Sequence, residues 1–210
     1  MKSPDPWPSI HEERRALAAD VQSLTDAQWS TPSLCVHWSV RDVLGHMIAT
    51  AQLTPATFFL AFVRSRCRFD AMTAKGVAAQ VEGTPRDTLN RFNSVLGSTT
   101  HPPGPIEAML GETIIHAEDI RRPLGMTRVY PPQTLIRVVD FYKKSNLLIG
   151  GKRRVAGLTL RASDVDWSCG SGPEVTGPMV SLALAICGRS VALLDLSGEG
   201  LPTLQDRMQH

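Results

Sequence analysis

Several features that mark particular classes of protein are missing from this sequence of 210 residues. The longest apolar run, residues 53–63, is about half as long as an α-helix must be to cross a bilayer. The segment MKSPDPWPSIHEERR at the start lacks the apolar stretch of a signal peptide. We therefore expect a cytoplasmic protein without a membrane partner.

An excess of charge of one sign is also missing. The chain has 22 basic and 20 acidic residues, spread along its length, for a formal net charge of +2. Such a balance creates no field that would attract a polyanion, so no nucleic-acid partner is expected. A hydrophobic fraction of 42% is nevertheless sufficient for a well-packed core.

The four cysteines are scattered, and no two of them form a Cys-x-x-Cys pair. This spacing indicates neither a disulfide framework nor a thiolate zinc site. Cys35 precedes a predicted helix by a few residues, but no base lies at helical spacing from it. We interpret Cys35 as a packed thiol.

Residues 1–151 are dominated by helical periodicity. Capping signals at Ser9, Ser39 and Thr84 each open a predicted helix, and Pro131 begins another. Apolar residues in 40–51 recur at steps of three and four. Long helices joined by short loops predict an up-and-down four-helix bundle.

The period changes after residue 151. Residues 155–162, 164–168 and 193–196 have the pattern of strands, and residues 177–187 that of a buried helix. We predict a small α+β domain over residues 152–210. The fold class is thus a helical bundle followed by a small α+β domain.

Two polar side chains interrupt the apolar stripe of the helix that contains GETIIHAE, residues 111–118. At about 100° per residue, Glu112 and His116 share one shoulder of this stripe, with Asp119 beside them. His46 occupies the equivalent shoulder of the earlier helix. Glu112, His116 and His46 can therefore meet where two helices face each other, and two imidazoles with one carboxylate suit zinc with one coordination position open.

The spacing alone leaves two interpretations open. Glu-x-x-x-His occurs often on helices as a hydrogen-bonded pair on a solvated face. A single histidine such as His46 is also common as a half-buried residue with satisfied hydrogen bonds. In the metal interpretation, Asp119 would accept a hydrogen bond from a ligand ring or a bound water.

Longer motifs resemble the mycothiol-dependent maleylpyruvate isomerase family, whose N-terminal region is a DinB-like metal-binding four-helix bundle. The resemblance covers nearly the whole chain, and one departure from the pattern is His37, where the family more often has glycine. The matching segments are QWSTPSLCVHWSVRDVLGH (28–46), GETIIHAEDIRRPLG (111–125), VTGP (175–178), GR (188–189) and LSGEG (196–200).

This resemblance implies a metal, Zn2+ or another divalent ion, held by His46, Glu112 and His116. It also implies a small C-terminal domain similar to a sterol-carrier fragment, in which Arg189 is the basic catalytic residue facing the site. The expected activity is that of a thiol transferase or cis-trans isomerase that activates a low-molecular-weight thiol, mycothiol, for attack on an electrophile. We expect a monomer or homodimer.

Two other functions remain open at this point. A metal-binding stress or regulatory protein would keep the same site without turnover. Metal-assisted hydrolysis by a bound water would use the same ligands.

Overall fold

The structure is a computed structural model and describes residues 4–147 and 149–208. The chain divides into two compact units, the first ending at Thr127 and the second beginning at Arg128. In the described ranges, no helix combines the length and apolar character needed to span a bilayer.

The first unit is entirely helical apart from its loops. A short 3-10 helix, Arg122–Leu124, follows its last α-helix. The α-helices of this unit are α1 (Trp7–Val21), α2 (Asp26–Trp29), α3 (Val40–Gln52), α4 (Pro55–Arg64), α5 (Phe69–Gln80), α6 (Pro85–Ser94) and α7 (Ile106–Arg121).

Two of the three predicted capping signals are present, those at Ser39 and Thr84. The third is wrong: Ser9 lies inside α1, which begins at Trp7 after Pro6 and has no side-chain cap. The hydroxyl of Ser39 accepts a hydrogen bond from the Asp42 backbone N–H at 3.2 Å, and the Asp42 carboxylate accepts one from the Ser39 N–H at 2.9 Å. Thr84 and Asp87 form the same reciprocal pair before α6. These caps satisfy N–H groups that have no partner inside the helix, which fixes where α3 and α6 begin.

Four helices of the first unit pack in a ring. Helix α1 contacts α6 and α7, and α3 contacts α6 and α7 on the opposite side. Helix α5 packs on the outer side of α3. The core between these helices is apolar and includes Leu17, Leu44, Ile48, Phe92 and Ile120, each less than a tenth exposed. This arrangement is the predicted four-helix bundle.

A buried arginine joins α7 to α1. Arg121 is fully buried, and its Nε donates to Asp20 Oδ2 at 2.7 Å. Its Nη1 also lies 3.9 Å from Oε2 of Glu13, which is itself buried. The next residue, Arg122, pairs with Glu118 one turn earlier at 3.2 Å. Arg121 therefore links the end of α7 to α1 through ion pairs.

The second unit combines helices with a three-stranded sheet. Its strand order is β2-β1-β3, with β1 antiparallel to β2 and parallel to β3. Helix α10 packs on β1 and β3. The elements are α8 (Pro132–Tyr142), α9 (Gly151–Arg154), β1 (Thr159–Ala162), β2 (Ser168–Gly170), β3 (Glu174–Gly177), α10 (Met179–Ile186), a 3-10 helix (Ser190–Asp195) and α11 (Leu201–Asp206).

Three details differ from the sequence prediction. The division between the units falls after Thr127 instead of at residue 151, because α8 packs against α10 and so joins the second unit. Residues 193–196, expected as a strand, lie largely in the 3-10 helix, and only the following Ser197 forms a bridge to Thr176. Strand β2 begins at Ser168, where the predicted strand ends.

Candidate metal centre

Two neighbouring helices of the bundle supply the polar side chains that the sequence singled out. His46 lies in α3, and Glu112 and His116 lie one turn apart in α7. Since α3 and α7 pack directly against each other, the shoulders of their apolar stripes meet. The Ser39 cap begins α3 at a defined residue and thereby sets which face of the helix carries His46.

The three side chains converge. One ligand atom from each of His46, Glu112 and His116 lies within 4.8 Å of the other two. His46 Nε2 is 3.8 Å from Glu112 Oε1, and the two imidazole rings meet edge to face with centroids 4.8 Å apart. The side chains of His46 and Glu112 are 18% and 14% exposed, so the cluster is sheltered and still reachable from solvent.

Glu112 has an oxygen atom without a hydrogen-bond partner. Its Oε1 is buried and accepts no hydrogen bond from any described residue. Burial raises the pKa of this carboxyl, while the charges of His116 and Arg14 and a hydrogen bond with Thr50 lower it in part. A buried carboxylate oxygen without a donor is costly unless a cation or water completes it, so the donor set fits a metal ion.

The Asp119 carboxylate is hydrogen-bonded to Nδ1 of the His116 ring. His116 Nδ1 donates to Asp119 Oδ2 at 2.8 Å, and the Asp119 side chain is fully buried. Because Nδ1 is occupied, Nε2 is the ring nitrogen left for a ligand. Burial alone would lower the pKa of His116, but hydrogen bonds with Asp119 and Cys35 and the charges of Asp119 and Glu112 raise it to about 10.

Cys35 packs against the apolar core, as predicted, and it also belongs to this cluster. Its Sγ–H donates to Asp119 Oδ2 at 3.0 Å, and Sγ lies 3.7 Å from His116 Nδ1. The backbone N–H of Leu34 also donates to the Asp119 carbonyl at 3.2 Å. Helical spacing could not reveal these contacts, because Cys35 lies in the loop before α3.

Two other loop residues adjoin the centre. The Trp38 ring lies 5.1 Å from the His46 ring, centroid to centroid, which places an aromatic wall beside that imidazole. His37 has a φ of 66°, in the left-handed region where glycine is favoured. A glycine at this position would adopt the same conformation without strain.

Arg189 lies in the second unit, directly after the end of α10. Its Nη1 donates to the Cys187 carbonyl at 3.1 Å. The catalytic role that the resemblance implies for Arg189 stays a prediction.

One protein-family model matches the N-terminal part of the chain. Residues 10–94, which include His46, match the family model described as the mycothiol maleylpyruvate isomerase N-terminal domain. Among curated proteins, none matches the chain.

Two solved structures share the fold across nearly the full length. One is a histidine-to-alanine mutant of the mycothiol-dependent maleylpyruvate isomerase, with 14% identity, a TM-score of 0.60 and 93% of each chain covered. The other is the mycothiol-dependent maleylpyruvate isomerase, with 12% identity, a TM-score of 0.54 and the same coverage. These matches confirm the DinB-like fold with its small C-terminal sheet. The family model that matches residues 10–94 is that of the family predicted from the sequence.

Proposed function

We propose that this protein is a metal-dependent thiol transferase or isomerase that activates mycothiol for attack on an electrophilic substrate. The observation that carries the proposal is the convergence of His46, Glu112 and His116 within 4.8 Å, with one buried Glu112 oxygen that has no donor among the described residues. The family match of residues 10–94 supports mycothiol as the thiol.

The three side chains would hold a zinc ion or another divalent metal. Two imidazoles and a carboxylate are a donor set that zinc accepts, and three protein ligands leave one coordination position for a further ligand. When bound, the cation supplies Lewis acidity that lowers the pKa of a coordinated thiol from its usual value of roughly 8.5.

Three side chains near the proposed ion would orient a ligand, offset charge and shield the site from water. Asp119 fixes the His116 ring through Nδ1 and leaves Nε2 directed away from that hydrogen bond. Glu112 supplies negative charge, which offsets part of a divalent cation's charge. Trp38 covers one side of the His46 ring and limits the access of water there.

A thiolate formed at such a centre would add to an electrophilic carbon. Addition followed by elimination of the same thiol isomerises a cis double bond to trans, whereas an adduct that keeps the thiol is the product of a transferase. Arg189 would stabilise negative charge on a carboxylate or enolate of the substrate.

The test combines metal content with turnover. We expect stoichiometric zinc in the wild-type protein and mycothiol-dependent consumption of maleylpyruvate or a chlorinated aromatic electrophile, which a chelator abolishes. His46→Ala and His116→Ala should lose both properties. His101→Ala is the control, because His101 contacts the Pro102 carbonyl and belongs to neither candidate metal group.

Three other results would contradict the proposal or favour a different function. Metal retained at full stoichiometry in both His46→Ala and His116→Ala would exclude the proposed centre. Turnover that needs the metal but no thiol would indicate hydrolysis instead. Zinc binding without any thiol-dependent turnover of these electrophiles would favour a metal-binding protein that is not an enzyme.

A further inference from the structure

The second unit contains a cavity formed by residues that take no part in the metal centre. Its volume is about 290 Å³, and it is lined by Gly150, Arg153, Arg154, Asp206 and Arg207. Three guanidinium groups against one carboxylate give the lining a formal charge of +2. The volume is near the lower end of the range for small-ligand sites, which is roughly 300–1,000 Å³.

Two of the guanidinium groups converge on a glycine. A Cβ atom placed on Gly150 would lie 3.9 Å from Arg153 Nη2 and 4.0 Å from Arg154 Nη2. Gly188 lies against the same Arg154 group, since a Cβ there would be 3.2 Å from Arg154 Nη2. Both glycines have positive φ angles, 65° and 85°, so the backbone turns without a side chain beside the two arginines.

Backbone carbonyls hold two of the arginines in position without neutralising them. Arg154 Nη1 donates to the carbonyls of Ile149 and Ile186. Arg207 Nη1 donates to the carbonyls of Arg154 and Ala156 at 2.9 and 2.7 Å. These bonds use one terminal nitrogen of each guanidinium and leave the net positive charge of the cavity unchanged.

Donor capacity remains unused within residues 4–147 and 149–208. Arg154 Nε is buried without an acceptor there. The Arg153 side chain takes part in no hydrogen bond or ion pair in these ranges, although its backbone N–H donates to Asn146 Oδ1 and its carbonyl accepts from the Ala156 N–H. Hydrogen bonds to backbone carbonyls explain the positions of the Arg154 and Arg207 guanidinium groups. They do not explain why Arg153 lines the same cavity.

The arrangement is electrostatically unfavourable without an anion. Burial lowers the pKa of Arg154; the Cys187 thiol opposes this change, and the positive charges of Arg153 and Arg189 lower the pKa further. An oxyanion between the guanidinium groups would relieve this repulsion and accept the free N–H donors. The planar fork of arginine matches the oxygen pairs of carboxylate and phosphate groups.

We propose that this cavity binds a small organic dianion, either a phosphate monoester or a dicarboxylate, between Arg153, Arg154 and Arg207. The charge of +2 favours a dianion over a monoanion. The cavity could hold roughly ten water molecules by volume, which is more than a single inorganic ion needs. The site lies wholly within the second unit and is independent of the proposed metal chemistry.

Calorimetric titration of the full chain at low salt tests the proposal, with inorganic phosphate and succinate as probes and acetate as the monoanionic comparison. We expect saturable binding to one site for phosphate or succinate, and at least tenfold weaker binding of acetate. Tighter binding of phosphate would indicate a phosphate monoester as the ligand, and tighter binding of succinate would indicate a dicarboxylate. Absence of saturable binding for both dianions would overturn the proposal.

Three variants locate the site. Arg153→Ala should weaken binding about tenfold, the effect of losing one charge-assisted hydrogen bond. Lys152→Ala removes the same charge from an exposed neighbour in α9 that does not line the cavity, and it should change affinity less than about twofold. Asp206→Asn removes the only acid of the lining and should tighten binding severalfold.

The affinities of the three variants together distinguish a defined site from general electrostatic attraction. Equal losses in Arg153→Ala and Lys152→Ala would mean that the general positive charge of the surface attracts the anion, which would contradict a defined site. Unchanged or weaker binding in Asp206→Asn would contradict it as well. Arg153 and Asp206 are both exposed, and thermal melts of each variant verify that the folded state is kept.

Discussion

Asp119 Oδ2 lies 2.8 Å from Nδ1 of His116, on adjacent turns of α7, with the carboxylate fully buried. The pair leaves His116 one free ring nitrogen and keeps a negative charge behind the ring. Such a carboxylate–histidine pair orients a metal ligand and increases its basicity. The relationship leads to two predictions about the centre.

Replacement of Asp119 should weaken metal binding without removing a ligand. In Asp119→Asn the side chain keeps its shape but loses the charge that holds the His116 ring, so we expect zinc affinity to fall about 10- to 100-fold. Competition with a chromogenic chelator measures the change. Asp70→Asn, at an exposed acid in the first turn of α5, is the control. Wild-type affinity in Asp119→Asn would show that the carboxylate does not support the ring.

The metal-free protein should lose stability as the pH rises. The pKa of His116 is raised from 6.5 to about 10 in the folded state, so the folded form holds this proton more tightly than the unfolded form. The stabilisation is complete below about pH 6.5 and disappears as the pH rises through about 10. Urea unfolding of wild type and His116→Gln measures it. The difference between their midpoints should shrink across this range; a constant difference would contradict the prediction.

The thiol of Cys35 should contribute to stability through its hydrogen bond to Asp119. Cys35→Ala removes the donor at 3.0 Å and should cost about 0.5–1.5 kcal/mol. Cys35→Ser keeps a donor on the side chain and should cost less. Cys67→Ala, at an exposed cysteine, is the control for loss of a thiol. Equal unfolding free energies for Cys35→Ala and wild type would show that this contact is not stabilising.

His37 occupies a conformation that a glycine would adopt without strain. With its φ of 66°, His37→Gly should stabilise the protein by up to about 1 kcal/mol, since the left-handed region is unfavourable for residues with a Cβ. Val36→Gly is the matched control. Val36 is exposed and has no positive φ, so that substitution should be neutral or destabilising. Thermal unfolding of the two variants would distinguish them, and a loss of stability in His37→Gly would contradict the prediction.

The helical part of the centre could be predicted because helix geometry relates sequence spacing to direction. Glu112 and His116 share a face whatever surrounds α7, and the Ser39 cap fixes the phase of α3 for His46. Cys35 and Trp38 lie in a loop, where spacing gives no direction, so their contacts with His116 and His46 could not be derived.

Which helices pack against each other was harder to predict than where the helices lie in the sequence. Helix α8 begins at Pro132, close to the predicted start after Pro131, yet it joins the second unit because its apolar face packs on α10. An amphipathic pattern shows which face is buried and not what covers it. Helix α4 has no buried residue although its sequence is largely apolar, so apolar content did not predict burial there.

The ion pairs of Arg121 restrict how the bundle can be assembled. If α1 slid by one turn along α7, Arg121 would lose its present ion pairs with Asp20 and Glu13, and separating a buried charge from its partner costs about 3–5 kcal/mol. A purely apolar contact between these helices would tolerate such a shift much more easily. The pairing thus favours a single alignment of α1 on α7, the helix that carries Glu112 and His116.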